Sequence, residues 1–89
     1  MNTSMKNVLE ETACFRCQDM ALASACQLFG FPIVAIDRQA GNKSAVFVIE
    51  RKEGLDDLIG AFWTRELRVD PLSYWEHCRS VKNRLYKDV

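Results

Sequence analysis

The sequence has no excess charge of either sign, and it contains a single histidine and no long apolar run. Its 89 residues include 12 Lys or Arg and 12 Asp or Glu, so the formal net charge is zero. This balance removes net charge as an argument for a polyanionic partner. No apolar run approaches the ~18 residues that a membrane-spanning helix needs, so we expect no membrane association.

The length allows one domain, since domains usually have about 100–150 residues. Hydrophobic residues make up 48% and charged residues 27% of the chain, which is typical of a globular protein. Residues 1–11 are polar and aperiodic, and we interpret them as a flexible N-terminal arm before a domain over residues 12–89. The arm carries no secretion signal, so we expect a cytoplasmic protein with reduced thiols.

The first predicted helix covers about residues 18–29, where apolar residues recur at helical spacing. Asp19 lies in its first turn, where the helix dipole favours an acid. Gly30 is placed to end the helix in the left-handed conformation, and Pro32 prevents its continuation.

Two apolar runs, at residues 32–37 and 45–50, predict a β-hairpin whose loop contains the turn signal Gly41-Asn42. Neither run alternates apolar with polar residues, so both faces of these strands should be covered. Helices on two sides would cover them, as would one helical layer together with a partner subunit. We therefore expect a homodimer.

The remaining elements are a short strand at residues 12–16, a helix at 53–64 and an extended piece at 67–69. Asp70-Pro71 marks the start of a last helix that runs to about residue 86. The order β-α-β-β-α-β-α predicts an α+β domain with a small mixed sheet and three helices. The expected core contains Phe15, Leu22, Cys26, Phe29, Val34, Ile36, Phe47, Ile49, Leu58, Phe62, Tyr74, Cys78, Val81 and Leu85.

Cysteine chemistry is the first candidate function, because Cys14 and Cys17 form a C-x-x-C just before a helix. A redox dithiol uses such a position, and zinc needs a second ligand pair. Only His77 and Cys78 could supply that pair, and as helical neighbours they diverge. We interpret Cys26 and Cys78 as small buried hydrophobes, Cys14 and Cys17 as incidental, and we expect no metal or cofactor.

Catalysis has little support in the sequence. His77 is flanked by Glu76 and Cys78, and adjacent helical residues do not face each other. Asp56 and Asp57 are also neighbours in a helix, and no glycine-rich phosphate loop is present. We therefore expect a protein that is not an enzyme.

The last helix carries the basic residues Arg79, Lys82 and Arg84, followed by Lys87, with Tyr86 among them. Cations can hold phosphate while an aromatic ring stacks on a base, so nucleic-acid binding is the alternative function. Cations at a helix C-terminus also complement its dipole, and a solvated basic helix end explains the same residues.

Large aromatic residues provide the leading functional hypothesis. Phe31, Trp63 and Trp75 exceed what a small core covers, and aromatics of this kind are enriched at interaction hot spots. We predict a small non-enzymatic protein-interaction module with an unidentified protein partner.

Several short motifs follow one another over about residues 15–86: an aromatic and an acid opening a Leu/Ala-rich helix, Gly-Phe, Asp-Arg, an apolar strand ending in acid, Val-Asp-Pro with aromatics, and a basic Leu-Tyr finish. The residues that carry them are Phe15, Asp19, Leu22, Ala23, Ala25, Gly30, Phe31, Asp37, Arg38, Phe47, Val48, Ile49, Glu50, Val69, Asp70, Pro71, Tyr74, Trp75, Lys82, Arg84, Leu85 and Tyr86. In this order the motifs resemble those of a family of small bacterial and bacteriophage proteins known only as a domain of unknown function. The resemblance implies an accessory protein of a bacterium or mobile element that acts by binding, and brings no catalytic residue.

Overall fold

A computed structural model describes residues 13–38 and 45–87 of the chain. The predicted arm at residues 1–11 and the predicted Gly41-Asn42 turn lie outside the described residues. In chain order the elements are strand β1 (Cys14–Cys17), helix α1 (Met20–Leu28), strands β2 (Ile33–Arg38) and β3 (Ala45–Glu50), and helices α2 (Leu55–Trp63) and α3 (Pro71–Lys87). The predicted α+β class is therefore confirmed, with three helices in the described part of the chain.

The strands form one sheet in the order β1-β3-β2, and both pairings are antiparallel. The expectation of a mixed sheet is thus corrected. Because β1 and β2 each run antiparallel to β3, they run in the same direction with β3 inserted between them. The β1-α1-β2 crossover therefore joins two strands that never touch, which is a split βαβ arrangement.

The extended piece predicted at residues 67–69 belongs to the connection between α2 and α3, and it pairs with no described strand. Arg65 adopts a left-handed backbone with φ 66°, which turns the chain back on α2. The N–H groups of Glu66 and Leu67 then donate to the Ala61 carbonyl at 3.0 and 3.2 Å. Because these donors close the helix end, they are not available for a sheet ladder.

Helix α1 occupies the middle of the fold, against all three strands on one side and against α2 and α3 on the other. Its N-terminus is capped by the Asp19 carboxylate, which accepts from Ala21 N at 2.9 Å and Leu22 N at 3.4 Å. Its C-terminus ends as predicted at Gly30, with φ 92°. Gly30 N donates to Gln27 O at 3.1 Å and Phe31 N donates to Cys26 O at 2.9 Å, the two bonds of a Schellman motif.

The described helices share one core with one face of the sheet. Ile33, Phe47 and Ile49 belong to a single buried cluster with Leu22 of α1 and Val81 of α3. Of the two coverings that the sequence allows, the described part of the chain shows a single helical layer on one face of the sheet. On the opposite face Arg16 lies in register with Val48, and its guanidinium reaches across β3 to the Asp37 carboxylate at 2.6 Å.

Two predicted core residues are wrong, because Phe29 and Val34 are 44% and 53% exposed. Val34 is the extra residue of a β-bulge between Ile33 and Ala35, so alternation of the side chains breaks there. Ile33 therefore points into the core in place of Val34, and Ile36 remains packed against it. Phe29 lies one residue beyond α1, where the chain turns away from the buried segment.

Candidate functional site

Helix α3 is the longest described helix, and it is the least buried one. It has 17 residues, of which only Val81 is fully buried. The sequence starts it as predicted: Pro71 occupies the first helical position, and the Asp70 carboxylate accepts from Ser73 N at 2.9 Å. That hydrogen bond stabilises the ionised form and lowers the pKa of Asp70.

An exposed stripe runs along α3, and we refer to it below as the α3 stripe. Its five members are Leu72, Trp75, Arg79, Lys82 and Tyr86, at successive spacings of 3, 4, 3 and 4. At 100° per residue they fall within about 80° of the helix circumference, centred about 140° from Val81. All five residues are exposed to solvent. Among the apolar members, Leu72 is 65%, Trp75 58% and Tyr86 64% exposed.

The five members of the stripe include two cations and no carboxylate, and the exposed Glu76 borders the stripe. The ion pairs of the described residues are Arg16–Asp37, Arg51–Asp56 and Lys52–Glu50, so neither Arg79 nor Lys82 has an acidic partner there. The stripe therefore combines apolar anchors at both ends with two cations in its middle. Such a surface can bury aromatic area and attract an acidic group at the same time.

The stripe joins the two sets of predicted site residues. The sequence predicts protein binding for Trp75 and nucleic-acid contacts for Arg79, Lys82 and Tyr86; the fold places all four on one face of α3. Sequence reasoning missed Leu72, although its spacing to Trp75 continues the same series. The missing information was which side of the helix faces solvent.

The other two aromatic candidates lie elsewhere. Phe31 is half-buried and packs against the core, and its ring sits 3.6 Å from where a Cβ on Gly54 would stand. Trp63 is the last residue of α2, is 61% exposed and meets Phe62 edge-on at 5.1 Å between ring centroids. Phe31 is thus part of the fold's support, and Trp63 is a separate exposed aromatic.

The two remaining basic candidates differ from the stripe. Arg84 lies on the other side of α3, where its guanidinium donates to the Ile33 carbonyl of β2 at 2.6 Å. Arg38 of β2 donates in return to the Leu85 carbonyl at 3.0 Å, so two arginines fasten the sheet edge to α3. Lys87 ends the helix, where a cation complements the exposed carbonyl groups.

Cys14 and Cys17 lie three residues apart in strand β1, so their side chains leave opposite faces of the sheet. Their Cα atoms are about 10 Å apart at the usual strand rise, beyond the ~7 Å limit for a disulfide. Burial raises the pKa of the Cys17 thiol and raises that of Cys26 to about 11, which disfavours the nucleophilic thiolate form of both residues. No group of three metal-ligating side chains occurs among residues 13–38 and 45–87.

His77 lines a polar depression of about 370 Å³ between α1 and α3. Gln27 Nε2 lies 3.2 Å from His77 Nδ1, so the ring is held by an amide rather than by a carboxylate. Ser73 and Ser80 line the same depression, yet neither hydroxyl is hydrogen-bonded to the imidazole in the described structure. The arrangement holds no nucleophile–base pair of the kind that acyl transfer needs.

No helix in the described part of the chain is both long enough and apolar enough to cross a membrane.

No curated protein and no solved structure matches the chain. Residues 12–87, which are most of the chain and contain every strand and helix described above, match the model of one family. The chain therefore belongs to the family described as a domain of unknown function, DUF5659.

Proposed function

We propose that this domain is a non-enzymatic protein-interaction module that binds a protein partner through the α3 stripe. The observation that carries the proposal is the alignment of Leu72, Trp75 and Tyr86 on one exposed helix face, each more than half exposed. A few side chains supply most of the binding free energy in protein interfaces, and Trp, Tyr and Arg are enriched among them. The stripe holds two aromatics and Arg79, and none of them serves the core.

The fold supports this use of α3. The inward face of α3 is fixed to the rest of the fold by packing against α1, by the Tyr74 hydroxyl and by the two arginine–carbonyl hydrogen bonds. The position of the outward face is therefore set by the fold. Tyr74 donates to the Ala21 carbonyl at 2.9 Å and thereby ties the start of α3 to α1. A partner therefore meets a preformed surface, which lowers the entropic cost of binding.

Affinity capture from cells of the source organism tests the proposal. The bait proteins are the wild type, Trp75→Ala and Trp63→Ala, since both tryptophans are exposed to a similar degree but only Trp75 lies on the stripe. We expect a protein recovered with the wild type and Trp63→Ala and lost with Trp75→Ala. The recovered protein, once purified, should bind the wild type at least tenfold more tightly than Trp75→Ala, the usual effect of removing a hot-spot side chain.

Loss of the captured protein in Trp63→Ala alone would move the interface to the end of α2. Equal recovery by all three baits would reject the α3 stripe as the binding surface.

Nucleic-acid binding is the second candidate, because Arg79, Lys82 and Tyr86 share the stripe and Lys87 lies one residue further on. Arg84 is engaged with the Ile33 carbonyl, so fewer cations are available than the sequence predicted. Titration of labelled single- and double-stranded oligonucleotides at two salt concentrations tests this candidate by fluorescence anisotropy. Binding that weakens with salt, and weakens further in Lys82→Ala, would support it over a protein partner.

A further inference from the structure

We infer that the α3 stripe takes an amphipathic helix of the partner protein, with apolar residues at its two ends and carboxylates in its middle. This inference rests on the proposed function and adds the chemical class of the partner.

The spacing of the stripe points to a helical partner. Steps of 3, 4, 3 and 4 are those of the a and d positions in a heptad repeat, the spacing along which two helices remain in contact. From Leu72 to Tyr86 the stripe is about 21 Å long at 1.5 Å per residue. A second helix of some 15 residues, crossing at about 20°, can follow it along this whole length.

The order of residues along the stripe sets the chemistry of the partner. Leu72 and Trp75 lie at one end and Tyr86 at the other, with Arg79 and Lys82 between them. A helix seated on the stripe brings its central seam residues against these two cations, where solvent is reduced and the screening of charge is weaker. Carboxylates in that position gain ion pairs, whereas apolar side chains there would leave the cations desolvated and unpaired.

A second copy of the chain is a poor occupant. An antiparallel α3–α3 pair about a twofold axis midway between Arg79 and Lys82 would set these two cations against the same residues of the other copy. Like charges across an interface oppose association. The predicted homodimer stays a prediction, and the charge of the stripe favours another face for it.

A pair of synthetic peptides tests the inference. Each is a labelled, Ala-rich helix of about three heptads, a length at which isolated helices form. Its four outer seam positions are Leu, and its two central seam positions are Glu in one peptide and Lys in the other. Anisotropy titrations use the full-length wild type and three variants: Trp75→Ala, the double variant Arg79→Glu/Lys82→Glu, and Ser80→Ala as an exposed control on α3 away from the stripe.

We expect the wild type and Ser80→Ala to bind the Glu peptide at least tenfold more tightly than the Lys peptide, and the difference to shrink with salt. Trp75→Ala should weaken the binding of the Glu peptide at least tenfold. The charge-reversed double variant should prefer the Lys peptide instead. All these substitutions are at exposed positions, and circular dichroism checks that each variant keeps the fold.

If both peptides bind equally well and both depend on Trp75, the inference that the partner helix is acidic is overturned, while the stripe remains a protein-binding surface. The same inference is overturned if the double variant still prefers the Glu peptide, as the wild type does. Failure of both peptides, together with Lys82-dependent binding of an oligonucleotide, would overturn the inference and the proposed function together. Failure of both peptides with no oligonucleotide binding would overturn the helical partner alone, since the capture experiment decides the proposed function separately.

Discussion

Helices α1 and α3 pack against each other but are buried to very different extents. Helix α1 buries five consecutive residues, Leu22 to Cys26, so every side of its middle turn is covered by the fold. Helix α3 is nearly twice as long and buries only Val81 completely, so most of its circumference meets solvent.

The difference follows from side-chain size. Positions 23 to 25 are Ala, Ser and Ala, which allow strands to approach α1 on one side and helices on the other. The one polar residue buried among them, Ser24, is satisfied within the helix, since its hydroxyl donates to Met20 O at 2.8 Å. Helix α3 instead carries Trp, Arg, Lys and Tyr outward, residues too large and too polar for a small core to absorb.

The largest expected difference between the two helices comes from the same substitution in each. Leu22→Ala removes a fully buried side chain, and we expect it to lower the free energy of unfolding by about 2–5 kcal/mol. Leu72→Ala removes an exposed one, and the change should stay within about 0.5 kcal/mol. Urea denaturation measures both. A loss of more than 1.5 kcal/mol or so in Leu72→Ala would show that the stripe supports the fold.

A second pair compares two arginines of α3. Arg84→Ala deletes the charged donor to the Ile33 carbonyl, and we expect a loss of about 1.5–3 kcal/mol, the range for hydrogen bonds that involve charged groups. Arg79→Ala should change stability by no more than about 0.5 kcal/mol. The same denaturation experiment measures the two variants. Equal effects would contradict the separation of α3 into a packed side and a free stripe.

A third prediction concerns alkaline pH. Burial raises the pKa of Cys26 in α1 to about 11 and that of Tyr74 in α3 to about 12. Raised acid pKa values stabilise the fold below the unfolded pKa, and that contribution is lost as pH rises through the folded value. The urea midpoint should therefore fall between about pH 9 and 11, less steeply in Cys26→Ala. If the urea midpoint falls equally steeply with pH in the wild type and in Cys26→Ala, Cys26 is not the cause of the alkaline destabilisation.

The smallest expected effect lies at the start of α3. The Ser73 N–H bond lowers the pKa of Asp70, so ionised Asp70 stabilises the fold above its unfolded pKa, and this contribution is lost as pH falls through the lower folded value. Asp70→Asn should remove that part of the acid sensitivity while keeping a side chain that caps helices well. Thermal unfolding at pH 7 and below pH 4 or so measures it. If the wild type and Asp70→Asn lose stability equally on acidification, Asp70 does not contribute to the acid sensitivity of the fold.

Local signals predicted the ends of helices well, because caps depend on residues within one turn. Asp70-Pro71 placed the start of α3, and Gly30 placed the end of α1 at the left-handed residue that was expected. The hairpin strands at residues 33–38 and 45–50 were also predicted within one residue, since their apolar runs are bounded by turn signals. The bulge at Val34 was not predictable, because it depends on the pairing partner and reverses which side chains point inward.

For the candidate site, the sequence by itself determined that α3 has cations and aromatics at helical spacing, since spacing is a property of the chain alone. Only the tertiary structure decided which of them are free. Packing against α1 and the β2 edge takes Tyr74 and Arg84 into the fold and leaves Trp75 and Arg79 facing outward. That choice depends on contacts between residues some 50 positions apart, such as Arg84 with Ile33, which no local pattern encodes.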